Sequence, residues 1–268
     1  SLLGKPINFT DITGGVRHSR YDAYGRLSEV EQGPVKSAYG YDARGALKTL
    51  SVNDTQAGRR LVTELVHDDF AREIRRTFIL EHDRRLVLEQ AFTAQDKLQR
   101  RTLSDGPAVL RDETYEYDTR GRLKRYTCSG PQAPVDPLGN VLVSQDYVYD
   151  YLDNIRSLTT RFEDSEDVTT FGYDYIDRTQ LSQLTHSHPD YSSLDCRFEY
   201  DAVGHQLTDE LGRVLTYDAL GGLRSVGGDS LSPSDNLVEY SYSPMDKIQS
   251  IVPGQGVAKA CFYHEDSL

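Results

Sequence analysis

The sequence has no tryptophan, one methionine and three cysteines in 268 residues. The cysteines, Cys128, Cys196 and Cys261, stand far apart and show no CxxC spacing. That excludes the usual zinc-site pattern and a disulfide framework, and leaves three small, partly buried thiols. No apolar run approaches the ~18 residues that a membrane-spanning helix needs. No signal-peptide pattern is visible. The chain starts at Ser1 without a methionine and stops at Leu268 amid polar sequence, as a piece of a longer polypeptide does. Hydrophobic residues make up 37 %, which is low for a compact globule. Basic residues are the minority: 30 Lys and Arg face 42 Asp and Glu, a formal charge of −12, with acid spread along the chain. A field of that sign argues against non-specific nucleic-acid binding and against an anionic membrane surface, and favours solubility. No Gly-rich phosphate loop, GxSxG elbow or HExxH is present. Most aspartates sit in turn positions, and the acidic run Glu163-Asp164-Ser165-Glu166-Asp167 reads as a solvated hairpin tip. No catalytic residue and no cofactor follow from these residues.

What the chain does have is tyrosine, 18 of them, and a repeat that carries many of them. Tyr21-Asp22-Ala23-Tyr24-Gly25-Arg26-Leu27 aligns with Tyr41-Asp42-Ala43-Arg44-Gly45-Ala46-Leu47. It aligns again with Tyr117-Asp118-Thr119-Arg120-Gly121-Arg122-Leu123 and with Tyr217-Asp218-Ala219-Leu220-Gly221-Gly222-Leu223. Degenerate copies begin at His67, Phe92, Tyr149, Tyr173, Tyr200 and Tyr242, which makes ten. Two turn-like pieces, starting at Asp136 and Asp209, lie between copies.

The spacing has a physical reading. Asp at position i and Gly at i+3 are the preferred ends of a type I turn. The carboxylate can accept from backbone N–H groups two residues on. Glycine then takes the left-handed conformation that a three-residue hairpin loop requires. Asp96, Asp153, Asp177 and Asp246 fill that position in degenerate copies, and aspartate tolerates it better than most residues. Aromatics two residues before the motif tyrosine, as at Tyr39 and Tyr115, share its strand face. The predicted fold is therefore all-β: tandem antiparallel hairpins forming a twisted, curved strip of about twenty short strands, one face Tyr/Leu-rich and the other charged. Residues 1–19 form a lead-in and 20–268 the repeat domain.

The repeated Tyr-Asp-x-x-Gly-x-Leu motif resembles the YD/RHS-repeat family, whose members include Rhs proteins, the B- and C-type subunits of insecticidal toxin complexes and, distantly, the YD-repeat region of teneurins. The likeness runs from about residue 20 to 263. It implies a segment of a β-spiral shell that encloses or presents an associated polypeptide. The implied partners are the remainder of a longer chain or a toxin-complex subunit. The implied setting is delivery by a bacterial secretion or toxin system. Complete toxin-bearing members also carry paired DPxG motifs where the chain cleaves itself. Here Asp136-Pro137-Leu138-Gly139 stands alone in mid-array and reads as a repeat turn. The alternative function is a lectin-like module, with tyrosine rows stacking on glycan rings.

One constellation could hold a metal. In an extended segment His186, His188 and Asp190 would point the same way, as two imidazoles and a carboxylate. Pro189 works against a regular central strand there, and a polar loop between hairpins is the preferred reading.

Overall fold

The computed structural model describes residues 4–11, 14–136, 138–228 and 237–261. Pro137, in the DPxG look-alike, lies outside them. The described residues form 21 strands, no α-helix and two short 3-10 turns, Glu81–Asp83 and Pro189–Leu194. The first strands are β1 (Asn8–Thr10), β2 (Val16–Tyr21), β3 (Leu27–Gln32), β4 (Val35–Tyr41), β5 (Leu47–Asp54), β6 (Arg59–His67) and β7 (Glu73–Ile79). There follow β8 (Arg85–Phe92), β9 (Leu98–Asp105), β10 (Ala108–Tyr117), β11 (Leu123–Ser129), β12 (Leu142–Tyr149), β13 (Ile155–Phe162), β14 (Glu166–Tyr173), β15 (Leu181–His186) and β16 (Cys196–Arg197). These sixteen pair in strict chain order in one open antiparallel sheet. A second sheet pairs β17 (Val214–Tyr217), β18 (Leu223–Gly227), β19 (Val238–Tyr242), β20 (Ile248–Pro253) and β21 (Lys259–Ala260) in the same way. The chain is therefore all-β and built of consecutive hairpins. It divides into two compact units, 1–144 and 145–268.

Sequential pairing follows from the turns. Asp22 N–H donates to the Arg26 carbonyl and Gly25 N–H to the Asp22 carbonyl, a three-residue loop closed by a bulge between Arg20 and Tyr21. The same backbone bonds recur in loops that start at Asp42, Asp68, Thr93, Asp118, Asp150, Asp201, Asp218 and Ser243. They also close the loops at Asp136 and Asp209, and one at Asp11 within the lead-in. The turn needs a residue in the left-handed region at its fourth position. Gly121 has φ 80°, and Asp96, Asp153 and Asp246 have φ 55–71°. Asp177 departs from this set. Its loop is two residues longer, closing from Asp174 N–H to the Gln180 carbonyl, so Tyr173 pairs with Leu181. Asp177 instead accepts from the Thr179 amide and hydroxyl.

Ala71 occupies the glycine position with φ 62°. A Cβ there is strained, so Ala71→Gly should stabilise the chain by about 0.5–1 kcal/mol, net of the entropy glycine adds to the unfolded state. Gly121→Val should do the reverse, costing about 2 kcal/mol, and its Cβ would meet Lys97 Cε at 2.7 Å. Urea unfolding of the two variants checks both signs. Equal stability of Ala71→Gly and wild type would remove the strain argument.

The register fixes the faces of the sheet in the first unit. One face carries Tyr39, Leu50, Thr63 and Phe78 in adjacent partner positions, and further along Leu88, Leu103, Tyr115 and Tyr126. The opposite face carries Glu64, Thr77, Thr102, Asp112 and Ser129. The apolar side is only part-covered. Buried hydrophobics among the described residues are Leu65, Tyr126, Cys128, Leu142, Phe162 and Tyr191. A layer this thin must draw on polar networks as well as on area removed from water.

Candidate functional site

The motif residues form a ladder of turns within each unit. Asp22 Oδ1 accepts from the amides of Tyr24 and Arg26, both at 2.9 Å. Asp42 does the same with Arg44 and Ala46, Asp118 with Arg120 and Arg122, and Asp218 with Leu220 and Gly222. Gly25, Gly45, Gly121 and Gly221 have φ of 75°, 88°, 80° and 85°. The tyrosines tie one hairpin to the one before it. Tyr41 Oη donates to the Leu27 carbonyl at 2.8 Å, and Tyr117 Oη to that of Leu98 at 2.8 Å. Tyr173, Tyr200, Tyr217 and Tyr242 reach Ile155, Leu181, Gln206 and Leu223 in the same way. At the start of the chain Tyr21 reaches the Pro6 carbonyl. Where Phe92 replaces tyrosine no hydroxyl is available. Gln90, two residues earlier on the same face, donates to the Glu73 carbonyl instead, at 3.0 Å.

In several copies the sixth motif position completes the rung. Arg26 Nε donates to Asp22 Oδ2 at 2.7 Å, while its guanidinium lies 4.3 Å from the centre of the Tyr41 ring. Arg72 repeats this between Asp68 and Phe92, and His205 between Asp201 and Tyr217. The bond from Arg72 holds the Asp68 carboxyl below its ordinary value, and the Arg122 amide does so for Asp118. For Asp22, Asp42 and Asp201 partial burial pushes upward but is outweighed by these donors, and the carboxyls are again lowered. A carboxyl lowered on folding adds stability above its unfolded value of ~3.9, and loses it as pH falls through the lower native value. Stability should accordingly be flat from pH 7 down to about 5 and fall steadily below about 4. Thermal unfolding across that range tests this. A midpoint at pH 3 equal to that at pH 7 would count against the turn carboxylates as stabilising groups.

Two polar clusters were not apparent from the sequence. Glu113 on β10 is 3 % exposed. Its register partner on β9 is Arg101, which grips it with two bonds of 2.6 and 2.9 Å. Its partner on β11 is Cys128, so Tyr126 lies diagonally across and donates its hydroxyl at 2.8 Å. Arg111 Nε lies 3.3 Å away without hydrogen-bond alignment. Burial pushes the Glu113 carboxyl upward, but Arg101 and Tyr126 outweigh it and hold it low. Burial pushes the Tyr115 hydroxyl up to about 12.

The second cluster centres on Asp167, which is not part of a solvated tip. It is 2 % exposed, because it lies on the apolar face of β14 under the 187–194 loop. Its carboxylate takes His186 Nδ1 at 2.8 Å, Thr169 Oγ1 at 3.1 Å and the amides of Ser187 and His188 at 3.0 Å each. Burial alone would raise this carboxyl. The His186 bond, the His188 amide and Thr169 outweigh it, so it is lowered. The segment is not extended throughout: β15 ends at His186, and Pro189 opens a 3-10 turn. The two imidazoles therefore straddle Tyr191, His186 stacked on it and His188 edge-on, with His188 Nδ1 3.9 Å from Asp190 Oδ2. Among the described residues no three His, Cys, Asp or Glu side chains are placed to hold a metal ion. No described helix is long and apolar enough to cross a membrane.

Fold and ladder together define a tandem β-hairpin repeat sheet. Its likeness among solved structures is to toxin-complex chains. The crystal structure of TcdB2-TccC3-Cdc42 matches with a TM-score of 0.65 at 19 % identity, over 89 % of this chain and 13 % of that one. The crystal structure of TcdB2-TccC3 matches with a TM-score of 0.65 at 18 % identity, over 89 % and 14 %. The Photorhabdus luminescens Tc holotoxin pore matches with 0.64 at 18 %, again over 89 % and 13 %. The chain thus spans about one-eighth of the length of the structures it resembles. No family model matches, and no curated protein matches.

Proposed function

We propose that the chain is a structural wall segment of a YD/RHS-repeat protein of the toxin-complex kind, enclosing or presenting an associated polypeptide, and that it is not an enzyme. The observation that carries this is the match over 89 % of the chain to a stretch of TcdB2-TccC3. The turn ladder supports it. Every carboxylate and hydroxyl of the motif that is described above is committed to holding the backbone, which suits a rigid wall. In this reading the partners are the rest of a longer polypeptide or a toxin subunit, delivered by a toxin system. Electron cryomicroscopy of the complete polypeptide encoded by the gene tests it. The expected image is a closed shell, built in part from this segment, with a second polypeptide inside. A free sheet with no enclosed chain would overturn the reading.

A further inference from the structure

The turns of the two units differ in a way that folding does not require. In the first unit the loops 22–26, 42–46, 68–72, 93–97 and 118–122 follow β2, β4, β6, β8 and β10, and so share one margin. Their middle residues are Tyr24, Arg44, Phe70, Gln95 and Arg120, and their six acidic residues are matched by six Arg and Lys. In the second unit the loops 150–154, 174–180, 201–205, 218–222 and 243–247 lie side by side. The last four are joined by the tyrosine bonds to Leu181, Gln206 and Leu223. The third residue of each, which is the middle one except in the longer loop 174–180, is Leu152, Ile176, Val203, Leu220 or Met245. Ile176, Val203, Leu220 and Met245 are 77–91 % exposed, and Tyr175 stands beside Ile176 at 87 %. These five loops hold seven acidic residues and two basic ones.

The contrast extends to the whole units. Residues 1–144 carry 22 Lys and Arg against 20 Asp and Glu, a net +2. Residues 145–268 carry 8 against 22, a net −14. Acid that looks evenly spread along the sequence is therefore in excess in one unit alone. At the sixth motif position the first unit has Arg26, Ala46, Arg72, Lys97 and Arg122, with the three arginines facing their turn aspartates. The second has Asn154, Arg178, His205, Gly222 and Lys247, with Asn154 and His205 facing theirs.

A hairpin tip gains nothing in stability from an exposed Leu or Met, and the first unit shows that the position accepts Arg and Gln. A contiguous apolar row marks a binding surface. We infer that this margin of the second unit binds a cationic amphipathic helix. Neighbouring tips are two strands apart, about 9.6 Å. A helix laid along the margin advances about 10.5 Å per heptad, so one apolar residue per heptad meets one tip. Cations on the helix flanks meet the acidic loops, which sets both sign and orientation. This surface is separate from the shell role, and its test does not depend on whether anything is enclosed.

The test uses a fluorescent four-heptad peptide with a leucine stripe and lysine and alanine elsewhere. Anisotropy should show binding to the chain that weakens at least about tenfold in the triple variant Val203→Asn, Leu220→Asn, Met245→Asn. Binding should weaken as salt is raised. Tyr24→Asn with Phe70→Asn should leave it unchanged. These side chains are exposed, so circular dichroism of the variants should match wild type. Binding within about twofold of wild type in the triple variant overturns the inference. So does equal binding of the peptide with glutamate in place of lysine, or self-association of the chain through the same tips.

Discussion

Glu113→Ala is expected to lower the free energy of unfolding by about 3 kcal/mol. The carboxylate is nearly inaccessible, and its removal leaves Arg101, Arg111 and the Tyr126 hydroxyl facing one another without their shared acceptor. The arginines keep a third of their surface in water, which places the cost at the low end of the range for a broken buried pair. Replacing the whole cluster should cost far less. Arg101→Met, Arg111→Met, Glu113→Leu and Tyr126→Phe together are expected to fall within about 1 kcal/mol of wild type, since no buried charge or hydroxyl is then left unmatched. Urea titration of both variants decides the matter. A loss below about 1 kcal/mol in Glu113→Ala would show that the cluster is already hydrated in solution.

Asp167→Ala should be nearly as damaging, at about 3 kcal/mol, for a different reason. This carboxylate organises a loop. It accepts from two consecutive amides, from an imidazole and from a hydroxyl, and the alanine variant leaves all four donors without it. The loop then loses its anchor, and with it the packing of Tyr191 on Phe162. Amide exchange should report the loss most directly at His188, faster than in wild type, since the Ser187 amide also donates to the Val168 carbonyl. A protected amide at His188, with an unchanged melting temperature, would refute the anchoring role.

The turns were legible in the sequence because their chemistry is local. Asp at one end and Gly three residues on contain nearly all the information the loop needs. The two exceptions are instructive. The loop at Asp174 holds two more residues than its neighbours, and the copy beginning at Tyr173 did not reveal where its partner strand resumes. The turn at Asp11 has the Asp-to-Gly spacing but Thr10 in place of tyrosine, so the full motif is missing there although the spacing alone marks a turn. The polar clusters were illegible for a stronger reason. Glu113 meets Arg101 and Tyr126 only once three strands are in register, and a slip of one residue would turn it to the other face. Asp167 ends an acidic run whose other members suit a solvated tip, and the strand's alternation separates it from them. The spacing of His186 and His188 suits a pair of ligands on one strand face. The aromatic ring of Tyr191, which divides them, is set by a 3-10 turn the sequence did not announce.

Each tyrosine bond runs backward along the chain, from a later hairpin to the carbonyl of an earlier one. That gives growth a direction. As the polypeptide leaves the ribosome, every motif tyrosine meets an acceptor carbonyl that is already in place. Each new unit closes on its predecessor over a separation of roughly one repeat, so ordering advances with synthesis and avoids long-range searching. An insertion or loss of one whole copy keeps the sense of every remaining bond. Arrays of this kind can therefore lengthen or shorten over evolution by single hairpins, without redesign of the joints.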